Sequence, residues 1–535
     1  MKIRLPIFLA AAALFGQQSP PKPDDLCEID GQVTNAATGA PVRKAELAVL
    51  RIAPDPQINY SATTDANGKF AMQGMEPGKY RLSVSANGFV QANYGARAAN
   101  RVGTILALDA GQLLKDVNPK LTPHGVIAGR IVDEDGDPVV HAEVAAQNYR
   151  RVEGRKQLIP AGTAGTNDLG EYRIFGLPPG RYYVSATRMA PDSDRSAMPP
   201  PDESYVRTYY PGGVDIARAV AIDVPPGAHL RAMNIILSKA HTVRVRGHVN
   251  NPCGGKLNVM VLLTPRDRAG SWGVGGKSGA DAQGNFEFRD VRPGAYWIET
   301  RVFGERPLYV RQAIDVGKSN MDDVGVTLTP GVDVAGRIKA ESPEGAKLAA
   351  ILIMPRVRDA EQSYATPYGR VADDGTFTLL PLAPEHYDFY FNDLPEGYYV
   401  KSIRAGDKEL RDSGLDMTGG PPGPLTVTIA PGAGQIDGVV VDDKDTAAGA
   451  LVVLIPEDAR RRERTDAYAT ATTDQYGLFT LKGIDPGDYK LYAWDDIESG
   501  AYMDPDFMKP YEGRGLPMSI HENSKEKAQL ELIVQ

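Results

Sequence analysis

The chain has 535 residues, 59 Lys+Arg against 68 Asp+Glu for a formal net charge of −9, 42% hydrophobic residues and two cysteines. At about 100–200 residues per domain this is too long for one hydrophobic core and fits three to five. The acidic balance argues against nucleic-acid binding, and two cysteines exclude a disulfide framework as the source of stability.

The N-terminus reads Met1-Lys2-Ile3-Arg4, then an apolar run from Leu5 to Phe15, then Gly16. A basic start, a short apolar core and a small residue predict a secretory signal peptide over residues 1–16. The run is shorter than the roughly 20 residues a bilayer-spanning helix needs. No later stretch is long and apolar enough, so an exported chain without a transmembrane segment is expected, periplasmic or at the cell surface. The residues before Cys27, Pro23 to Leu26, lack the small side chains of a lipoprotein cleavage box. In an oxidising compartment Cys27 and Cys253 could bond only if the first and third repeats touch; two separate thiols are the simpler reading.

A repeat then organises the chain. Five segments share a turn followed by an aromatic residue: Asp65-Ala66-Asn67-Gly68-Lys69-Phe70, Asp168-Leu169-Gly170-Glu171-Tyr172, Asp281-Ala282-Gln283-Gly284-Asn285-Phe286, Asp373-Asp374-Gly375-Thr376-Phe377 and Asp474-Gln475-Tyr476-Gly477-Leu478-Phe479. Ten residues beyond each aromatic lies a tyrosine: Tyr80, Tyr182, Tyr296, Tyr387 and Tyr489. A Pro-Gly pair precedes it in four repeats and Pro384-Glu385 in the fourth. Asp followed by Gly makes a tight turn, Asp bonding its own backbone and Gly accepting positive φ. The aromatic starts a strand, Pro-Gly turns, and the tyrosine is expected to start a second strand pairing back on the first.

Upstream of each turn, Gly31, Gly129, Gly247, Gly336 and Gly438 each open a β-type run. Each unit closes on an alternating segment: Val117 to Leu121, Met233 to Leu237, Val324 to Leu328, Leu425 to Ile429 and Leu530 to Val534. After each tyrosine, alternation puts one face toward a core. Short strands, many turns (56 Gly and 41 Pro) and no convincing amphipathic helix predict an all-β chain. Five tandem Ig-like or prealbumin-like antiparallel sandwiches are expected, over residues 25–123, 124–240, 241–330, 331–431 and 432–535.

The glycine-led first strand, Asp135-Gly136-Asp137-Pro138 leading to Val144, the Asp168–Tyr172 turn and the Pro-Gly-x-Tyr turn together resemble the carboxypeptidase regulatory-like domain. That family is a prealbumin-like sandwich grouped with the carbohydrate-binding-like fold and related to collagen-adhesin B-type repeats. The resemblance is strongest in repeats one, two and five. It implies fold and export, and carbohydrate as a ligand class; it does not imply peptidase activity.

Motifs for catalysis are missing. None of the seven histidines has Glu three positions on, and no His-Glu-x-x-His or Gly-x-Ser-x-Gly occurs. Gly276-Lys277-Ser278 ends like a phosphate-binding loop, but Ser271 stands where its first glycine is required. Asp65-Ala66-Asn67-Gly68 lacks the distal acid of a calcium loop. The first strand Glu28–Val33 has no lysine for the isopeptide bond of the adhesin relatives. The cluster Arg460-Arg461-Arg462-Glu463-Arg464 reads as a solvated loop. The chain is therefore expected to be no enzyme and to need no cofactor or metal.

The remaining functional signal is aromatic. On the face opposite the core, the post-tyrosine strands present Tyr183, Trp297, Tyr390, Tyr492 and Trp494, with Glu299 beside Trp297 and Asp496 beside Trp494. Exposed rings flanked by carboxylates stack on sugar faces and take their hydroxyls. Rings packed under a neighbouring loop or module would instead be structural. Exposure of Trp297 and Trp494 separates a carbohydrate-binding or adhesion role at the envelope, with polysaccharide or envelope protein as partner, from a structural spacer or protein-interaction scaffold. The sequence leaves the oligomeric state open.

Overall fold

A computed structural model describes residues 23–52, 59–98, 101–188, 203–254, 259–266, 276–302, 306–342, 346–358, 368–420, 423–443 and 445–534. The segment expected to be a signal peptide and Ser271 lie outside them. The described chain is strand throughout, with one short α-helix at Pro505–Met508 and a few 3-10 turns. None of its helices is long and apolar enough to cross a membrane.

The same two-sheet unit recurs along the chain. In the first, Cys27–Gln32 pairs antiparallel with Lys69–Met75 on one sheet, while Glu46–Arg51 pairs with Asn59–Thr63 and Gly78–Ser85 on the other. The last module repeats this: Gly434–Asp442 with Leu478–Ile484, and Leu451–Pro456 with Ala469–Thr472 and Gly487–Trp494. Separate clusters of buried side chains fill the units, running from Cys27 to Leu121, Ile127 to Leu237, Val243 to Leu328, Val334 to Ile429 and Ile436 to Leu532.

The expected hairpin is not formed. The aromatic strand and the tyrosine strand belong to opposite sheets, so the Pro-Gly turn is a corner between sheets and the Asp-Gly turn is another. Alternation told which face is apolar but not which strand is the neighbour. The tyrosine fixes the corner instead. Its hydroxyl donates to the carbonyl four residues back: Tyr80 to Glu76 at 2.6 Å, Tyr182 to Pro178 at 2.5 Å, Tyr296 to Arg292 at 2.8 Å and Tyr489 to Asp485 at 2.8 Å. Its ring and the aromatic ten positions earlier enter one core from facing sheets.

The first-strand glycines also have a cause. The closing strand runs parallel to the first strand, as in Gly247 beside Val324, Gly336 beside Leu425 and Gly438 beside Ala528. A Cβ on Gly247 would lie 2.2 Å from the Val324 carbonyl oxygen, and one on Gly31 1.9 Å from that of Val117. Only glycine lets the closing strand approach this closely.

The turn residues need one correction. Asp65 accepts from the amides of Asn67 and Lys69, both at 2.8 Å, and Asp281 and Asp474 do likewise. In the second module Asn167, not Asp168, does this, at 3.0 and 2.8 Å from the Leu169 and Glu171 amides. In the fourth the same place is Ala372, and Asp374 instead accepts from Thr376. One residue earlier, Thr64, Thr166 and Thr473 are buried, each donating to a carbonyl and accepting an amide across the neighbouring loop. Modules three and four have Ala280 and Val371 there. Cys27 is buried, Cys253 is exposed, and they do not pair.

The units do not form a simple string. The fifth module returns to the first, where the Gln475 side-chain amide pairs with the Ala107 backbone at 2.8 and 2.6 Å. Arg97 meets Asp495 at 2.6 Å and Arg101 meets Asp496 at 2.8 Å. The fifth module also touches the second through Arg151 and the fourth through Arg464.

Candidate functional site

The predicted aromatic face is divided by the fold. Trp494 has no exposed surface. It stacks on Tyr492 with ring centroids 5.2 Å apart, and the following segment, with its short helix, brings Phe507, Met508 and Tyr511 over it. Trp494 is thus corrected from a sugar platform to the centre of a small second core, and Asp496 from its flanking carboxylate to the partner of Arg101. Trp297 is half-buried, with the Arg311 guanidinium 4.4 Å and that of Arg266 6.0 Å from its ring centroid. Glu299 is bound to Arg311 at 3.0 Å, and Arg311 reaches Glu385 of the fourth module at 3.6 Å. Trp297 and Glu299 therefore sit at the joint of modules three and four, engaged by arginines rather than open. Tyr183 packs edge-on against Tyr149 at 5.5 Å.

Tyr390 and Tyr492 are brought together, but Tyr492 is 3% exposed and packs in the same small core as Trp494, which corrects its expected place as an open ring. The two tyrosines line one cleft of about 1060 Å³ between the second, fourth and fifth modules. The post-tyrosine strands His386–Asn392 and Gly487–Trp494 carry them at equivalent outward positions, so repetition of one motif supplies two walls. The third wall is Val152 to Arg155 and Gln157, from the tip of the second module's long hairpin. Tyr468 and Tyr502 add two more rings. Arg155, Arg356, Arg358, Arg462 and Lys490 line it together with Glu153, Asp388, Glu463 and Glu512, a nearly balanced set.

Burial pushes the Tyr468 phenol up to about 12 and raises those of Tyr390, Tyr492 and Tyr502, so all four remain neutral hydroxyls at physiological pH. Arg356 lies over the Tyr390 ring at 4.7 Å and Arg464 at 5.8 Å, so this ring too is engaged by arginines, and the Thr465 hydroxyl donates to the Tyr390 oxygen at 3.3 Å. Arg358 grips the buried Asp388 with a forked pair, its shortest contact 2.6 Å. The cleft thus offers rings, neutral hydroxyls and planar charged groups. It contains no nucleophile–base pair, and no group of three or more potential metal ligands occurs among the described residues.

Sequence reasoning missed the arginine loop beside this cleft. Arg464 is buried, its guanidinium forked on Asp466 at 3.0 and 2.6 Å and donating to the Phe389 carbonyl at 3.1 Å and to that of Arg411. Within the run Arg460–Arg464, Arg460, Arg462 and Glu463 are exposed as expected of a loop, but Arg464 is a wedge between modules four and five. A buried guanidinium is tolerated because its donors are paired. The sequence carried the signal as a charge run, but not what it would meet.

Residues 28–114 and 126–208 match the family model of the carboxypeptidase regulatory-like domain. No curated protein matches the chain. Among solved structures, the chain is similar to GBS52, the minor pilin of Streptococcus agalactiae, at 13% identity over 40% of this chain and 97% of that one, with a TM-score of 0.24. It is also similar to two B repeat units of the collagen binding protein of Staphylococcus aureus, at 12% identity over 76% and 99% with a TM-score of 0.14. BcpA, the major pilin subunit of Bacillus cereus, matches at 12% identity over 57% and 100% with a TM-score of 0.15. At these TM-scores the likenesses carry no argument of their own, and the fold rests on the sheets described above. No catalytic family is indicated by the matches.

Proposed function

We propose that this chain, whose first two modules are carboxypeptidase regulatory-like domains, is an exported, non-catalytic binding protein of the cell envelope. Its ligand is a segment of polysaccharide held in the cleft between the second, fourth and fifth modules. The observation carrying this reading is that Tyr390 and Tyr492, from the same strand position of two modules, line one large cleft with two further tyrosines. Clefts at domain joints lined by rings and a few polar groups are the usual form of a small-ligand site. The near balance of charge along the walls favours a neutral saccharide over a polyanion. Export rests on the N-terminal pattern over residues 1–16.

The test is a glycan array on the purified mature chain, followed by calorimetry with wild type, Tyr390→Ala and Tyr502→Ala. Loss of a stacking ring is expected to weaken binding about tenfold, or about 1.4 kcal/mol. No binding to any glycan, or binding indifferent to both substitutions, overturns the saccharide reading. The second reading, a structural spacer or protein-interaction scaffold, is favoured by the burial of Trp494 and by the arginines engaging Trp297. It gains if the array is empty.

A further inference from the structure

The geometry points to a latch: the long hairpin of the second module closes on the fifth through Arg151, and this closure assembles the cleft. The inference rests on reading the cleft as a ligand site and names what builds it.

Among the described residues this hairpin has the longest arms of its kind. Its arms, Ala142–Val152 and Arg155–Gly165, have 11 residues each. The matching pair of the fifth module, Leu451–Pro456 with Ala469–Thr472, has arms of 6 and 4 residues. A two-residue turn at Glu153 and Gly154, both with positive φ, closes the tip in the form that matches strand twist. The extra length delivers that tip to the fifth module.

There Arg151 bonds through both its backbone amide and its side chain. The Arg151 amide donates to Glu498 Oε1 at 2.7 Å, its Nη1 to Glu498 Oε2 at 3.2 Å and its Nε to Asp504 Oδ2 at 2.9 Å. Its guanidinium lies 5.3 Å from the centroid of the Phe507 ring. Gly154 is pressed onto Met503, where a Cβ would come within 2.7 Å of the carbonyl oxygen. Glu153 reaches the fourth module through Arg356 at 3.2 Å. The residues that dock, Val152 to Arg155 and Met503, also line the cleft.

Arg151 lies outside the lining, so it is a positioning residue. With the tip undocked, the cleft loses one of its three walls. A ligand that touches all three walls binds the docked form better, and by linkage it must hold the latch shut by the same factor.

The experiment uses the full mature chain and hydrogen–deuterium exchange, with cellohexaose, maltohexaose and chitohexaose as probes. Arg151→Ala is expected to raise exchange in residues 150–157 and 497–508 while leaving the core strands of the second and fifth modules protected. It is expected to weaken binding of whichever probe the wild type takes by at least about tenfold. Arg151→Lys, which keeps the charge but not the fork, is expected to fall between. Saturating probe is expected to lower wild-type exchange in both segments. Unchanged exchange in Arg151→Ala overturns the latch, as does raised exchange with unchanged affinity. Raised exchange in a chain that binds none of the probes supports the latch and counts against the saccharide reading alone.

Discussion

Single residues repeated through the modules set the fold, and each has a testable cost. Gly438→Ala would place a Cβ 2.4 Å from the Ala528 carbonyl oxygen and 2.5 Å from the Phe479 ring. Forcing the two strands apart is expected to cost the fifth module about 1–3 kcal/mol, read as a lower urea midpoint. Thr473→Val removes a buried hydroxyl serving the Ala447 carbonyl and the Ala450 amide, both left without it in a dry place. That is expected to cost about 1–3 kcal/mol. Tyr182→Phe loses the corner bond to Pro178 and is expected to cost about 1 kcal/mol in thermal unfolding. These residues were legible as a pattern, since Gly31, Tyr80 and their counterparts stand out in the sequence at fixed spacing. Their reasons were not, because the carbonyl beside Gly31 is that of Val117, far along the chain in the closing segment of the same unit.

Elements explain where the reading succeeded and where it failed. Period two gave the faces correctly: the residues placed toward the core, from Tyr80 to Tyr489, are buried. It did not give the partner strand, so a corner between sheets was read as a hairpin. Nor did it give what covers the other face. Trp494 and Trp297 have the same outward placement in sequence, yet one lies under a segment containing a helix and the other meets two arginines. Such coverings come from insertions specific to one module, and a repeat says nothing of them.

The hairpin of the second module also has a pH signature. Burial acts to raise the Asp504 carboxyl, but the Arg151 guanidinium and the amides of Asp506 and Phe507 outweigh it and hold the group below its ordinary 3.8. A depressed carboxylate stabilises docking above the ordinary value, and the contribution is lost as pH falls through the lower, docked value. Protection at residues 497–508, corrected for the intrinsic exchange rate at each pH, is therefore expected to hold from neutral pH down to about 4 and to fall in stronger acid, with Asp504→Asn weakening that dependence.

At the scale of the molecule, the repeated two-sheet units make more than beads on a thread. Neighbours in sequence touch, as at Tyr309 and Pro381, but so do the first and fifth, second and fifth, and second and fourth modules. Charged and amide side chains make these joints: Gln475 copies a backbone pairing, Arg464 is wedged into the fourth module, and Arg151 clasps the fifth. None of the joints could be read from a repeat, because each depends on residues outside the shared motif or, as with Gln475, at one of its variable positions. The cleft is their product, assembled from walls that are distant in the chain.

Small-angle X-ray scattering on the mature chain in solution tests this most directly, comparing wild type with the triple variant Arg151→Ala, Arg464→Ala, Gln475→Ala. The account predicts a compact distance distribution for wild type and a longer, broader one for the variant, with the modules still folded by circular dichroism. A wild type already as extended as the variant would contradict it.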